Sequence, residues 1–169
     1  DARDMKLSNR GDTMLVQPLP KEDLQVALDL VWRVFLAFEA PDYSEEGVQT
    51  FHAFLQSDEE LEKLRFYGAY EESTLIGVLA TRGEDGSHIA LFFVDAAWQG
   101  RGVGKALFWY AREQCQSDRM TVHSSPYAKN IYEHLGFSAV SGEQLSNGIR
   151  YHPRQYSKTK TTGDQAHAE

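Results

Sequence analysis

Three glycines at alternate positions, Gly100, Gly102 and Gly104, lie between two apolar stretches of different periodicity. The run at 88–94 is typical of a buried strand, and apolar side chains recur at helical spacing over 103–111. A glycine loop that joins a strand to a helix lets the backbone turn sharply and come close to a ligand. The free amides of the first helical turn and the helix dipole favour an anion. The sequence therefore predicts a phosphate-binding loop.

Two common phosphate motifs do not fit this loop. The dinucleotide fingerprint requires glycine at its first, third and sixth positions, and the sixth position counted from Gly100 is Lys105. The P-loop requires a glycine five residues before Gly104 and a Ser or Thr after the lysine, whereas the chain has Gln99 and Ala106 there. The loop therefore belongs to neither class.

The segment 99–104, QGRGVG, resembles the pyrophosphate loop of the GNAT superfamily of N-acetyltransferases, which reads Gln or Arg, two residues, Gly, one residue, Gly or Ala. A second segment supports this resemblance, because Tyr132 follows Ala128 by four positions and precedes Gly136-Phe137, as in the late segment of the superfamily. The resemblance extends over roughly residues 12–156.

The resemblance implies an α/β (α+β) fold in which a GNAT-like mixed, mostly antiparallel sheet is flanked by helices. The strand–helix–strand unit around the loop agrees with one parallel pair of strands. We expect one domain at 12–157, between polar tails at 1–11 and 158–169. Besides the helix after the loop, helices are predicted at about 21–38, 44–55 and 127–135, and strands at 13–17, 64–70, 75–82, 88–95, 120–123, 137–140 and 149–156.

The resemblance implies acetyl-CoA as the acyl donor. In the superfamily, amides of the loop and helix start hold the pyrophosphate of coenzyme A, and main chain at the end of the preceding strand holds the pantetheine arm. The matching residues are Phe93, Val94, Gln99, Gly100, Arg101, Gly102, Val103, Gly104 and Lys105. The side chains of Arg101 and Lys105 either contact phosphate or are simply solvated. Ser125 stands where relatives often have a cofactor-binding asparagine, and Asn130 either compensates for it or faces solvent.

Acetyl transfer to an amine needs a proton acceptor and a proton donor. Tyr132 matches the family's tyrosine near the cofactor sulfur and is the predicted acid, with aromatic packing as its alternative role. His88 is the first candidate for the base, since it lies eleven positions before Gln99, where some relatives carry a glutamate base, and histidine titrates near neutral pH. Its alternative role is that of a turn residue. Glu39, in the link between the first two helices, is the second candidate for the base.

These residues imply an acetyl-CoA-dependent N-acetyltransferase that acts on the primary amine of a small molecule or peptide in a direct ternary complex. The alternative is an acyl-CoA-binding regulator or sensor without efficient turnover. No His, Cys or carboxylate spacing is typical of a metal site, so we expect no metal. The acceptor amine stays open, because the early helices and closing strands carry no pattern that identifies it.

The composition of this 169-residue chain limits its possible partners and cellular location. A formal net charge of −8 argues against nucleic acid as a partner. The single cysteine, Cys115, suits a reducing cytoplasm, and no apolar run approaches the ~18 residues of a membrane span. We therefore expect a soluble, cytoplasmic protein. Monomer and homodimer both stay open, since the last strands can either close the sheet or pair across a partner.

Overall fold

The computed structural model describes residues 5–7 and 14–157. These residues form nine strands and five α-helices. The strands are β1 (Met5–Leu7), β2 (Met14–Pro18), β3 (Leu64–Glu71), β4 (Thr74–Arg82), β5 (His88–Val94), β6 (Arg119–Ser124), β7 (Ser138–Ala139), β8 (Gln144–Ser146) and β9 (Ile149–Ser157). The helices are α1 (Leu24–Phe38), α2 (Glu45–Leu55), α3 (Asp58–Leu61), α4 (Val103–Gln114) and α5 (Lys129–Leu135).

The strands form one mixed sheet in the order β1-β2-β3-β4-β5-β6-β9-β7, and β8 pairs with β9 outside this path. Within the described residues, β5 and β6 are the parallel pair and the other pairs are antiparallel. The predicted mixed, mostly antiparallel sheet is thereby confirmed. β1 lies in the segment 1–11 that was predicted to be a polar tail, and three residues are too few to show a strand period. The predicted tail 158–169 lies outside the described residues.

Helix caps were predictable because they are local. The Ser44 hydroxyl accepts a hydrogen bond from the amide of Gly47 at the start of α2, and Ser57 does the same for Glu60 at α3. In α1, the buried residues recur at helical spacing: Ala27, Leu30, Val31, Val34 and Phe35. The predicted first turn of this helix, Lys21–Asp23, is a 3-10 turn.

Helices cover both faces of the sheet. Val78 and Leu91 belong to a hydrophobic cluster with α1 and α2, whereas the neighbouring Leu79 belongs to a second cluster with Leu107 of α4. Successive residues of a strand point to opposite faces, so β4 contributes to both clusters. None of the helices within the described residues is long and apolar enough to cross a membrane.

The parallel pair holds together at one end only. The paired residues are His88 with Thr121 and Ile89 with Val122. Beyond Ile89, β5 continues to Val94 without pairing to β6, so the sheet opens at the end of β5 that leads into the glycine loop. This opening positions the candidate site.

Candidate active site

A cleft of about 1310 Å³ lies where β5 and β6 separate. Its walls come from the end of β5, the glycine loop, α4 and α5. Phe93 and Val94 line it, and so does Glu39, the residue that follows α1. The strand end predicted to hold pantetheine, the predicted phosphate loop and one of the two candidate bases therefore share one space.

The loop has left-handed backbone at two glycines, with φ of +79° at Gly100 and +87° at Gly102. These φ values strain any residue that has a β-carbon. A β-carbon built on either glycine would meet nothing within 4 Å, so open space lies before the loop. Gly102 is also the N-cap of α4, whose first amides lack partners inside the helix. Open space beside unpaired amides and a positive helix end fits the pyrophosphate of coenzyme A.

Glu39 is a half-buried carboxylate on the wall of the cleft. Burial raises its pKa from 4.5 to about 7, a hydrogen bond from Ser125 lowers the pKa, and the charge of Asp42 raises it. A carboxylate with a pKa near 7 exists in both protonation states at neutral pH. It is therefore suited to accept a proton from a substrate.

Tyr132 lines the same cleft from α5 and is 4% exposed. Its ring packs edge-on against Phe92 and Phe137, with centroids 5.9 and 5.3 Å away. Burial raises the pKa of its phenol above the ordinary value of 10, and the charge of Glu39 raises that pKa further. The phenol thus stays protonated at neutral pH and is able to donate a proton into the cleft.

Residues 39–158 match the family model described as "Acetyltransferase (GNAT) domain". The chain belongs to this GNAT family. It is therefore an acetyltransferase, and family membership implies acyl transfer that depends on acyl-CoA. The membership predicted from the loop and the tyrosine segment is confirmed. No sequence among the curated proteins matches the chain.

Solved structures of GNAT proteins share its fold. A GCN5-related N-acetyltransferase from Rhodopseudomonas palustris is 20% identical with a TM-score of 0.72, covering 84% of this chain and 94% of its own. PaiA N-acetyltransferase from Thermoplasma acidophilum, solved with coenzyme A, is 17% identical with a TM-score of 0.70, covering 86% and 99%. FeeM, an N-acyl amino acid synthase from uncultured soil microbes, is 15% identical with a TM-score of 0.64, covering 92% and 98%. At these identities the similarity shows the fold alone.

Of the two candidate bases in this GNAT chain, the structure brings only Glu39 to the cleft. His88 lies at the closed end of β5, about 16 Å from Phe93 along an extended strand. Its Nδ1 is 2.8 Å from the Thr121 hydroxyl, and its ring lies edge-on to His123. Burial lowers the pKa of His88 to about 4, and the charges of His123 and Arg82 act in the same direction. Glu39, the second candidate, is therefore better placed than His88, the first candidate, to act as the base.

The predicted cofactor residues divide into three groups. Gln99, Gly100, Gly102, Gly104, Lys105 and Asn130 line the cleft, together with Phe93 and Val94. The guanidinium of Arg101 instead lies 4.8 Å from the centre of the Trp98 ring, and the side chain of Val103 is buried in the core. Ser125 is buried and is not among the residues on the cleft wall. Its hydroxyl accepts a hydrogen bond from the Ala128 amide at 3.2 Å.

The hydrogen bonds of two side chains that fix the loop, Gln99 and Asp95, were not predicted. The Gln99 amide donates to the Val94 carbonyl at 3.0 Å, and its oxygen accepts from the Tyr127 hydroxyl at 3.0 Å. The Arg33 guanidinium of α1 donates at 2.8 Å to Asp95, which also accepts from the Ala97 amide. The Tyr127–Gln99 and Arg33–Asp95 contacts join parts of the chain that are distant in sequence, and no local pattern signals them.

The described residues contain no group of three or more His, Cys, Asp and Glu side chains arranged to hold a metal ion. Cys115 lies just after α4, and its thiol donates to the Ser117 carbonyl. It is not on the cleft wall.

Proposed function

We propose that this GNAT acetyltransferase transfers an acetyl group from acetyl-CoA to the primary amine of a small molecule or peptide in a direct ternary complex. One observation carries the proposal: a carboxylate with a pKa near 7 and a protonated phenol line the same cleft as the phosphate loop. These are the two proton-transfer groups that amine acetylation needs.

The donor would be held mainly by backbone. The amides at 103–105 and the left-handed turn at Gly102 suit the pyrophosphate, and the Lys105 side chain adds positive charge on the cleft wall. The main chain of Phe93 and Val94 has no strand partner on the β6 side, and apart from the Val94 carbonyl, which accepts from Gln99, it is available to the pantetheine arm. A protein of similar fold, PaiA, was solved with coenzyme A, which supports this assignment.

The reaction needs proton transfers around one bond exchange. Glu39, directly or through a water, accepts a proton from the substrate ammonium and leaves a neutral amine. The amine nitrogen attacks the thioester carbonyl carbon and the C–N bond forms. As the C–S bond breaks, the leaving thiolate takes the proton of Tyr132, and the nitrogen, which carries one proton more than the amide product, gives that proton through a water to the Tyr132 phenolate. No acetyl group passes through Cys115, which lies off the cleft.

The test begins with thiol release from acetyl-CoA in the presence of amines, amino acids and peptides. With an accepted amine, kcat/KM of the wild type should rise with pH through about 7, as Glu39 ionises. In Glu39→Gln this rise of kcat/KM with pH should disappear, and kcat should fall by roughly 100-fold or more. Acetyl-CoA affinity, measured by calorimetry, should change little.

The matched control is Glu62→Gln, which makes the same substitution at an exposed carboxylate that does not act on the pKa of Glu39. It should keep both the pH profile and the turnover. A Glu39→Gln variant with the wild-type profile would overturn the proposed base. Tight acetyl-CoA binding without thiol release for the whole panel would favour the binding-sensor alternative.

A further inference from the structure

The opening between β5 and β6 is crossed by a bridge of two side chains. The Tyr127 hydroxyl, in the turn between β6 and α5, donates to the side-chain oxygen of Gln99 in the glycine loop at 3.0 Å. Both residues line the cleft, and Tyr127 is 37% exposed. The Tyr127–Gln99 bridge therefore joins the segments that follow β5 and β6 across the space where the two strands separate.

On the β5 side, the bridge ends on a backbone group at the open edge of the strand. The Asp95 amide donates to the Ile76 carbonyl of β4 at 2.8 Å. In a trans peptide the C=O points opposite to the N–H, so the Val94 carbonyl points away from β4 and toward the opening. The side-chain amide of Gln99 donates to this carbonyl at 3.0 Å. Gln99 thus covers a carbonyl that the pantetheine arm is proposed to meet.

On the other side, an aromatic contact holds the Tyr127 ring. Phe38, the last residue of α1, stacks on this ring with centroids 5.2 Å apart and an angle of 25° between the ring planes. The next residue, Glu39, lines the same cleft. The bridge therefore connects both walls of the cleft, from the end of α1 to the end of β5.

The bridge and the pantetheine arm compete for the same space. The amides of the arm are donors that suit a free strand edge, but Gln99 already supplies a donor to Val94. One side-chain hydrogen bond is worth only a modest net free energy, so it lowers the open fraction several-fold without blocking entry. Exposed side chains turn faster than a ligand arrives, and the association rate constant is then proportional to the open fraction.

We propose that the Tyr127–Gln99 bridge is a latch across the cofactor cleft, which opens to let the pantetheine arm reach the Val94 carbonyl. This inference rests on the proposed site of the arm at Phe93 and Val94. It gives Tyr127 a role in cofactor entry, separate from the proton transfers of Glu39 and Tyr132.

The test is stopped-flow binding of coenzyme A to Tyr127→Phe, followed by the fluorescence of Trp98 and Trp109 on the cleft wall. The variant keeps the ring that stacks on Phe38 and loses only the hydroxyl. The association rate constant should rise about fivefold and the dissociation rate constant should stay within about twofold. Adenosine 3′,5′-bisphosphate, which has phosphates but no pantetheine arm, should bind the variant and the wild type equally fast.

Tyr151→Phe is the matched control. The Tyr151 hydroxyl also donates to a glutamine side-chain oxygen, that of Gln144 at 3.2 Å, and Tyr151 is not on the cleft wall. This variant should bind coenzyme A at the wild-type rate, which separates the position of the lost hydroxyl from the loss itself.

Three results would overturn the latch and leave the proposed function standing. The first is an unchanged association rate constant for coenzyme A in Tyr127→Phe. The second is an equal gain for adenosine 3′,5′-bisphosphate, because the hydroxyl would then act on the loop rather than on the arm. The third is faster dissociation with weaker binding, because the bridge would then close over the bound arm. If coenzyme A binds the wild type and both variants no more tightly than the bisphosphate does, the proposed site of the arm fails and the latch fails with it.

Discussion

The charge of Glu39 affects the pKa of three tyrosine phenols. Burial raises the pKa of Tyr43, Tyr127 and Tyr132, and the Glu39 carboxylate adds to the rise in each case. In the proposed reaction Glu39 takes up the proton of the amine, so its charge disappears and this contribution is lost. The pKa of Tyr132 then falls at the stage when the leaving thiolate needs a proton. Base and acid are therefore coupled through their electrostatic interaction.

The same carboxylate should make the folded protein sensitive to pH. Between pH 4.5 and about 7, the unfolded chain has released the Glu39 proton while the folded chain still holds it, so the free energy of unfolding falls as pH rises. The full rise in pKa corresponds to about 3 kcal/mol. Glu39→Gln should therefore be as stable as the wild type near pH 4.5 and up to about 3 kcal/mol more stable above pH 7.

Urea unfolding across this pH range measures the difference between the two proteins. Glu62→Gln serves as the control, because Glu62 is exposed and does not act on the pKa of Glu39, so its neutralisation should leave the pH dependence unchanged. A stability gain for Glu39→Gln that is the same at every pH would contradict the raised pKa. A gain confined to high pH would mean that the base is maintained at the expense of stability.

Tyr132→Phe should separate proton donation from packing. The ring would keep its edge-on contacts with Phe92 and Phe137, whereas the proton for the thiolate would be lost. We expect kcat to fall by roughly 100-fold, with KM for acetyl-CoA changed by less than about threefold. Tyr156→Phe, which alters another tyrosine of the cleft wall, is the matched control and should retain turnover. Equal activity of Tyr132→Phe and the wild type would exclude the phenol as the acid.

At the level of elements, the loop before α4 depends on backbone conformation. Gly102→Ala would place a β-carbon on a residue with φ of +87°, which costs about 1–2 kcal/mol unless the loop changes shape. Because the amides at 103–105 would then lose their alignment, the dissociation constant for acetyl-CoA should rise about tenfold or more. Gly142→Ala is the control, since a β-carbon there meets nothing within 4 Å and the φ is not left-handed. Calorimetry measures the dissociation constant for acetyl-CoA in both variants. An unchanged dissociation constant in Gly102→Ala would contradict the role of the loop in binding phosphate.

The parts of the fold that were predicted correctly have local causes. The apolar period of α1 and the glycines before α4 both act within a few residues of themselves. The strand that contains His88 was also predicted, and its end at Phe93 and Val94 was expected to meet the cofactor, but the pairing that closes the opposite end at His88 was not predicted. The position of the opening depends on which residues of β5 pair with β6, and the sequence of one strand does not determine its pairing with another.

The missed parts of the site depend on contacts between distant segments. Nothing near Glu39 in the sequence indicates burial beside Ser125, and nothing near Asp95 indicates Arg33, which lies 62 positions away. Likewise, Tyr127 reaches Gln99 only because the β6–α5 turn faces the glycine loop. The resemblance therefore led to the loop and Tyr132 as candidates, whereas the choice of Glu39 over His88 as the proposed base required the tertiary structure.

The whole molecule is arranged around one opening in a sheet that has helices on both faces. Glu39 comes from the α1 side, and the loop and Tyr132 come from the elements that follow β5 and β6. The net charge of −8 gives no general attraction for a polyanionic cofactor. Recognition of phosphate thus falls to the local amides and cations of the loop, and binding there should couple to the stability of the entire domain.

Acetyl-CoA should stabilise the folded chain by mass action. At a free concentration about 100 times its dissociation constant, a ligand that binds only the folded state adds about 2.7 kcal/mol, which raises Tm by roughly 5–10 °C for a domain of this size. Acetyl-pantetheine at the same concentration carries the thioester without the pyrophosphate, so it should raise Tm by no more than a degree or two. Gly102→Ala should need about tenfold more acetyl-CoA for the same shift. Differential scanning fluorimetry measures all three, and equal shifts from both compounds would mean that the glycine loop does not hold the phosphates.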